Sequence, residues 1–187
     1  MKRINVVSML VVLILAMALI SGCATPTAAP TEAPVVVTEA PTESPIVVTD
    51  ALGRTVEFTT LPQRIVLAGK ATTLLSNSAF LFSEAQERIV SYELRLQMSD
   101  RNFVKTLFPA TEGLTLLEKD AGPEQIAPLN PDLVIMKTYM QEKLGNAIEA
   151  LGIPVVYLDL ETPEKFYQDI RTLGQVFGNT DRAEEII

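Results

Sequence analysis

The sequence of 187 residues contains no histidine, no tryptophan and a single cysteine. Without histidine there is no imidazole to act as a general base or to bind zinc, so His-dependent catalytic triads and His-bearing metal sites are excluded. One cysteine excludes an internal disulfide and any CxxC site. Basic residues are also few: 15 Lys and Arg against 23 Asp and Glu give a formal charge of −8. This acidic balance argues against a nucleic-acid partner.

The first 22 residues have the pattern of a signal peptide. Lys2 and Arg3 precede an apolar run that extends to Ile20, as in a secretory signal. A single membrane-spanning anchor is the alternative, although the run is at the short edge of what spans a bilayer. The residues Leu-Ile-Ser-Gly-Cys at 19–23 resemble the lipobox of bacterial lipoproteins. That resemblance implies cleavage before Cys23 and acylation of its thiol, and two or more acyl chains give a stable membrane anchor.

The next segment is built almost wholly from Ala, Thr, Pro, Glu and Val, with Thr-Glu-Ala-Pro at 31–34 and again at 38–41. Such a composition cannot bury enough apolar surface to offset the entropy of ordering. We therefore expect the lipidated Cys23 and a disordered tether to occupy residues 23–45, and a globular lobe to occupy residues 46–179.

From Ile46 onward, short β-prone runs alternate with helical stretches. We predict a hairpin from 46–49 and 55–58, strands at 65–68, 89–92, 133–136 and 154–158, and helices at 71–82, 100–108 and 141–151. The best-marked helix has Thr162 as its N-cap, Pro163 in its first position and Gly178 at its end. The alternation predicts an α/β, Rossmann-like lobe with a mostly parallel sheet flanked by helices and preceded by a β-hairpin.

A last helix is expected to begin at Thr180 or Asp181, with Glu184 completing a capping box with Asp181. Its apolar residues Ile186 and Ile187 are the last two of the sequence. We therefore expect the chain to be a fragment of a longer protein, in which this helix continues.

Two local patterns suggest chemistry. Gly69-Lys70 lies between a strand and a helix, but a phosphate-binding loop would need Gly at position 64, where Arg64 stands, and Ser or Thr at position 71. A lysine at a helix start can still hold an anion. Asp159 and Glu161 follow a strand and are either paired acids for hydrolysis, a site for a hard metal ion, or a solvated strand end and helix N-terminus.

Five segments carry a family resemblance: DALGRTV at 50–56, LPQRIV at 61–66, EQIAPLNPDLVI at 124–135, LGIPVV at 151–156 and LGQVFG at 173–178. Together they resemble the solute-binding proteins of ABC importers for iron–siderophore complexes and vitamin B12. The resemblance implies two α/β lobes joined by a long helix, with the ligand in the cleft between them. This chain would supply the N-terminal lobe, and residues 180–187 the start of the interlobe helix.

The resemblance also implies partners and sites. The partners are a small-molecule ligand, which is a metal chelate or corrinoid, and a membrane permease with its ATPase, at the extracytoplasmic face of a bacterial envelope. Glu112 is the candidate contact for permease arginines. The candidate ligand-binding residues share a predicted place beyond the carboxyl end of a strand: Lys70, Thr72, Tyr92, Arg95, Lys137 and Tyr139. No catalytic residue, bound metal or cofactor is expected.

The missing histidine separates the sequence from family members that bind bare zinc or manganese through histidine ligands, while chelated iron, a corrinoid or an oxyanion remain as cargo. Two alternatives stay open. One is a lipid-anchored α/β hydrolase that uses Asp159 and Glu161, against which stands the absence of a GxSxG nucleophile motif. The other is an inactive one-lobe fragment.

Overall fold

The computed structural model describes residues 45–93 and 103–187. The predicted signal peptide, Cys23, the tether up to residue 44 and Arg95 lie outside the described residues. The described part begins with the predicted hairpin, in which β1 (Ile46–Thr49) pairs antiparallel with β2 (Thr55–Phe58). In the turn, the Asp50 carboxylate accepts hydrogen bonds from the backbone N–H groups of Leu52 and Arg54 at 2.9 and 3.0 Å.

A five-stranded parallel sheet forms the centre of the lobe. Its strands are β3 (Ile65–Leu67), β4 (Ile89–Glu93), β5 (Thr115–Leu117), β6 (Leu133–Lys137) and β7 (Val155–Leu158), in the spatial order β5-β4-β3-β6-β7. All residues of β3, β6 and β7 are buried. Strands covered on both faces read as continuous apolar runs, which is why these three were predictable. The short edge strand β5 was not predicted.

Helices cover both faces of the sheet. They are α1 (Thr72–Ala79), α2 (Ala85–Arg88), α3 (Phe103–Leu107), α4 (Pro123–Ile126), α5 (Asn146–Glu149), α6 (Pro163–Phe177) and α7 (Thr180–Ile186). Shorter turns of 3₁₀ type occupy Pro109–Gly113, Ala127–Leu129 and Thr138–Met140, and a π-helical turn occupies Gln141–Gly145. The predicted helix over 141–151 is therefore a π turn followed by one short α-helix.

The hydrophobic core has two layers because successive strand residues point to opposite faces. Leu67, Ile135 and Val156 belong to the layer that contains residues of α1 and α6. Val66, Val134, Met136 and Tyr157 belong to the other layer, with residues of α4, the π turn and α5, among them Ile126, Leu144 and Ile148.

Helix α6 confirms its predicted ends. The Thr162 hydroxyl accepts a hydrogen bond from the Lys165 N–H at 3.4 Å, and Gly178 follows the helix in the left-handed conformation, with φ of 70°. For α7 the predicted capping box is wrong: the N-cap is Asn179, whose side chain accepts from the N–H of Arg182. None of the helices in the described ranges has the length and apolar character that a membrane crossing requires.

Candidate ligand-binding site

The order in which the chain adds parallel strands to the sheet reverses between β3 and β6. From β3 the chain proceeds outward to β4 and β5, and then returns to the other side of β3 for β6 and β7. In open α/β sheets, ligands bind at the carboxyl ends of the strands on either side of such a reversal. Here those ends carry the loop from Ala68 to Ala71 and the 3₁₀ turn Thr138–Met140.

A cavity of ≈ 280 Å³ lies at this place. Lys70, Lys143 and Asp120 give it charge, and these three side chains are exposed. The buried Met140 and Leu144 form much of its apolar wall. The full lining consists of Gly69, Lys70, Asp120, Ala121, Gly122, Pro123, Met140, Lys143 and Leu144. The cavity thus combines two ammonium groups with one carboxylate over an apolar floor.

Gly69 is required at the base of this cavity. Its φ is 83°, in the region that favours glycine. A Cβ at this position would lie 3.0 Å from Cγ and 3.1 Å from Cε of Met140. The missing side chain therefore lets the loop after β3 approach the turn after β6 closely.

The structure brings one predicted ligand residue to the cavity and places another near it. Lys70 lines the cavity. Tyr139 precedes the lining residue Met140 in the 3₁₀ turn and is 46% exposed. Glu112 lies in the 3₁₀ turn Pro109–Gly113, which precedes β5 at one edge of the sheet.

Thr72 and Tyr92 lie in the interior. The Thr72 hydroxyl donates a hydrogen bond to the backbone carbonyl of Glu93 at 2.7 Å, which joins α1 to β4. Tyr92 lies inside β4, and not beyond its end as predicted, and it belongs to the hydrophobic core. Burial raises the pKa of its hydroxyl, which is hydrogen-bonded to Thr111. In this structure both side chains contribute to packing.

Lys137 is the last residue of β6, again inside the strand, and its side chain is fully buried. Its Nζ lies 2.7 Å from Oε1 of Glu161. Asp159 in turn forms an ion pair with Lys165. The two acids that suggested hydrolysis therefore each contact a lysine, and neither lines the cavity.

Asp169 of α6 holds the loop after β7. One of its carboxylate oxygens accepts hydrogen bonds from the N–H groups of Asp159 and Leu160, both at 2.7 Å. Burial raises the pKa of Asp169, although these bonds and the charge of Lys137 oppose that shift. Across residues 45–93 and 103–187, no group of three or more acidic or thiol side chains is arranged to hold a metal ion.

A second cluster links the hairpin to the sheet through Arg54. Its guanidinium donates to Asp50 at 2.9 Å, to Glu149 at 2.5 Å and to the carbonyl of Val155 at 2.7 Å. It also lies 4.4 Å from the ring centre of Tyr157. Burial, with the nearby charge of Glu149, raises the pKa of Tyr157 to about 12.

Of the nine residues that line the cavity, sequence reasoning named only Lys70; Asp120, Met140 and Lys143 are among those it missed. Asp120 lies between β5 and α4, two elements that are too short to show a periodic pattern. Lys143 lies near the start of the segment 141–151 predicted as a regular helix, and Met140 lies just before it. The π turn changes the direction in which the side chains of this segment point. The available signal was the position of this segment directly after a buried strand.

Residues 110–187 match the sequence model of the periplasmic binding protein family. No curated protein sequence matches the chain. Among solved structures, the TroA-like periplasmic binding protein FepB from Veillonella parvula is similar, with 25% identity and a TM-score of 0.62 over 76% of this chain and 45% of that one.

Two further solved structures share the fold. The molybdate-bound protein MolA from Haemophilus influenzae has 22% identity and a TM-score of 0.58, over 75% of this chain and 48% of its own. A periplasmic heme-binding protein from Pseudomonas aeruginosa has 24% identity and a TM-score of 0.52, over 67% and 42%. The chain thus spans less than half the length of each. Over residues 110–187 the chain matches the periplasmic binding protein family, and the described lobe shares the fold of these solved proteins, in agreement with the resemblance of the sequence motifs.

Proposed function

We propose that the chain is the N-terminal, ligand-binding lobe of a solute-binding lipoprotein that delivers a chelated iron or corrinoid ligand to an ABC importer. The observation that carries this proposal is the cavity at the point where the strand order reverses, with Lys70 and Lys143 at its rim. The family is extracytoplasmic and binds small molecules, and the proposal places this chain at the outer face of the membrane.

The chemistry of the cavity favours an anionic ligand with an apolar body. Ammonium groups form strong, charge-assisted hydrogen bonds with carboxylate, catecholate and other anionic oxygens. Met140, Leu144 and Pro123 offer apolar contact beside them. Ferric siderophores and haem combine both features. The similar solved proteins include one that binds molybdate and one that binds heme, which supports the same choice between oxyanions and metal chelates.

The size of the cavity indicates that a second lobe would contact the ligand as well. Pockets that enclose a small molecule have volumes of about 300–1,000 Å³, and this cavity of ≈ 280 Å³ lies at the small end of that range. A complex of siderophore size would therefore project from it. This agrees with a two-lobed receptor in which the described lobe supplies one side of the cleft.

The remaining parts of the proposal concern the anchor and the partners. Cys23 would carry the lipid, the tether would hold the lobe near the membrane, and Glu112 would contact the permease. We propose binding in place of hydrolysis, because Asp159 and Glu161 are each engaged by a lysine outside the cavity.

The test is direct binding to the full chain. Tyrosine fluorescence and thermal melting would be followed with catecholate, hydroxamate and carboxylate ferric siderophores, haem, cobalamin and molybdate. We expect one of these ligands to bind, and we expect Lys70→Ala and Lys143→Ala each to weaken binding about tenfold or more, as for the loss of a charged hydrogen bond. Lys165→Ala is the control, because Lys165 is 52% exposed, pairs with Asp159 and does not line the cavity.

Two results would contradict the proposal. If none of the six ligands binds, the chain is not a receptor for this class of ligand, and the inactive one-lobe fragment becomes the better description. If a ligand binds and the Lys70 and Lys143 variants bind it as well as the Lys165 variant does, the cavity is not the site.

A further inference from the structure

The π turn at Gln141–Gly145 forms part of the cavity wall. The N–H of Asn146, just after the turn, donates to the carbonyl of Gln141, five residues earlier. Such widened turns are rare and are frequent at functional sites. Lys143 and Leu144 of the turn line the cavity, and so does Met140 just before it. The contacts that hold this turn open therefore determine the shape of the wall.

Tyr157 fills the space next to Gly145. A Cβ added at Gly145 would overlap the Tyr157 hydroxyl and would lie 2.7 Å from Cζ of the ring. Only glycine permits this approach. The hydroxyl is buried and has no hydrogen-bond partner among the described residues. A buried hydroxyl without a hydrogen-bond partner is unfavourable. The tyrosine at this position is therefore explained by the length of its side chain, which reaches Gly145, and not by a hydrogen bond.

The tyrosine ring also contacts Arg54 of the hairpin turn. Arg54 lies 4.4 Å from the ring centre and is fixed by Asp50, Glu149 and the Val155 carbonyl. Glu149 is the last residue of α5, the helix that follows the π turn directly. The hairpin thus holds both the ring and the helix after the turn.

We propose that the contact of Tyr157 with Gly145 keeps residues 141–145 in the π conformation and thereby positions Met140 and Lys143 in the wall of the ligand cavity. Tyr157 and Gly145 are positioning residues, since neither lines the cavity itself. The inference rests on the proposed function only in taking this cavity as the ligand site.

The test uses the full chain labelled with ¹³C at the methionine methyl groups and needs no ligand. In Tyr157→Phe, we expect the Met140 methyl resonance to shift and the amides of residues 142–146 to exchange about tenfold faster, because local opening becomes easier. Tyr167→Phe is the matched control, since Tyr167 is 41% exposed on α6. Gly145→Ala should shift the same resonances further.

A purely structural role would lower the melting temperature without a selective change at Met140 and residues 142–146. If the Met140 resonance and these amides behave alike in Tyr157→Phe and Tyr167→Phe, the proposal is wrong. Should Gly145→Ala fail to fold, the phenylalanine variant alone decides. Because no ligand is involved, failure of the binding panel would refute the proposed function and leave this inference standing.

Discussion

Asp50 joins the hairpin to the edge of the sheet, and replacing it should lower the free energy of unfolding substantially. Its side chain is fully buried. One oxygen accepts from the N–H groups of Leu52 and Arg54, and the other accepts from Nε of Arg54 at 2.9 Å and from the N–H of Tyr157 at 3.4 Å. The Ala51 N–H adds a bond of 2.9 Å to the Tyr157 carbonyl. The hairpin turn is thus hydrogen-bonded to the backbone of the edge strand β7.

The cost of Asp50→Ala can be estimated from these contacts. The buried Tyr157 N–H would lose its partner, which costs about 1–3 kcal/mol, and each of the two turn bonds contributes about 1 kcal/mol. The Arg54 pair adds only about 0–1 kcal/mol, because the Arg54 side chain is 29% exposed and water screens it. We expect a loss of about 3–6 kcal/mol, which corresponds to a melting temperature roughly 10–20 °C lower in a domain of this size.

Urea unfolding and thermal melting of the full chain would measure this loss. Asp132→Ala is the matched control, since this exposed carboxylate also accepts two backbone hydrogen bonds, from Gln63 at 2.7 Å and Arg64 at 2.9 Å. Water can replace those bonds, so we expect about 1 kcal/mol there. If Asp50→Ala costs no more than Asp132→Ala, the hairpin turn is not fastened by this carboxylate.

The parts of the fold that were predictable are those in which one physical effect dominates. Strands β3, β6 and β7 are buried on both faces, so their sequences are apolar runs, which Lys137 alone interrupts at the end of β6. Helix α6 carries its own start and stop, in Thr162 and Gly178. These signals are local, and they require no knowledge of the neighbouring elements.

The parts that were missed depend on distant contacts. Strand β5 has three residues, and Leu116 in its centre is 46% exposed, so no pattern marks it. The π turn depends on Tyr157, which reaches Gly145 from a strand that comes later in the chain. The capping-box pattern at Asp181 and Glu184 was misleading, because Glu184 instead pairs with Arg171 of α6 at 2.7 Å.

The candidate site was predictable to the level of the sheet edge, and not to the level of individual side chains. The rule that ligands bind at the carboxyl ends of strands located the loop that carries Lys70. It did not separate Lys70, which lines the cavity, from Tyr92, which packs into the core. That difference depends on where each strand ends, because Tyr92 still lies within β4 whereas Lys70 lies in the loop beyond the end of β3.

Two further predictions concern stability. Gly178→Ala should cost about 2–3 kcal/mol, because φ is 70° and the new Cβ would lie 2.6 Å from Cδ1 of Leu61; Gly53→Ala, at φ of 73° with open space, should cost only about 1 kcal/mol. Equal losses in urea unfolding would contradict this. Burial raises the pKa of Asp169 in the folded state. As the pH falls, Asp169 is therefore protonated in the folded protein before it is protonated in the unfolded chain. At a pH above the folded-state pKa, the ionised carboxylate opposes folding. Wild type should therefore gain stability relative to Asp169→Asn as the pH is lowered from neutral into the acidic range, and a difference that stays constant with pH would show that the carboxyl is not destabilised by its burial.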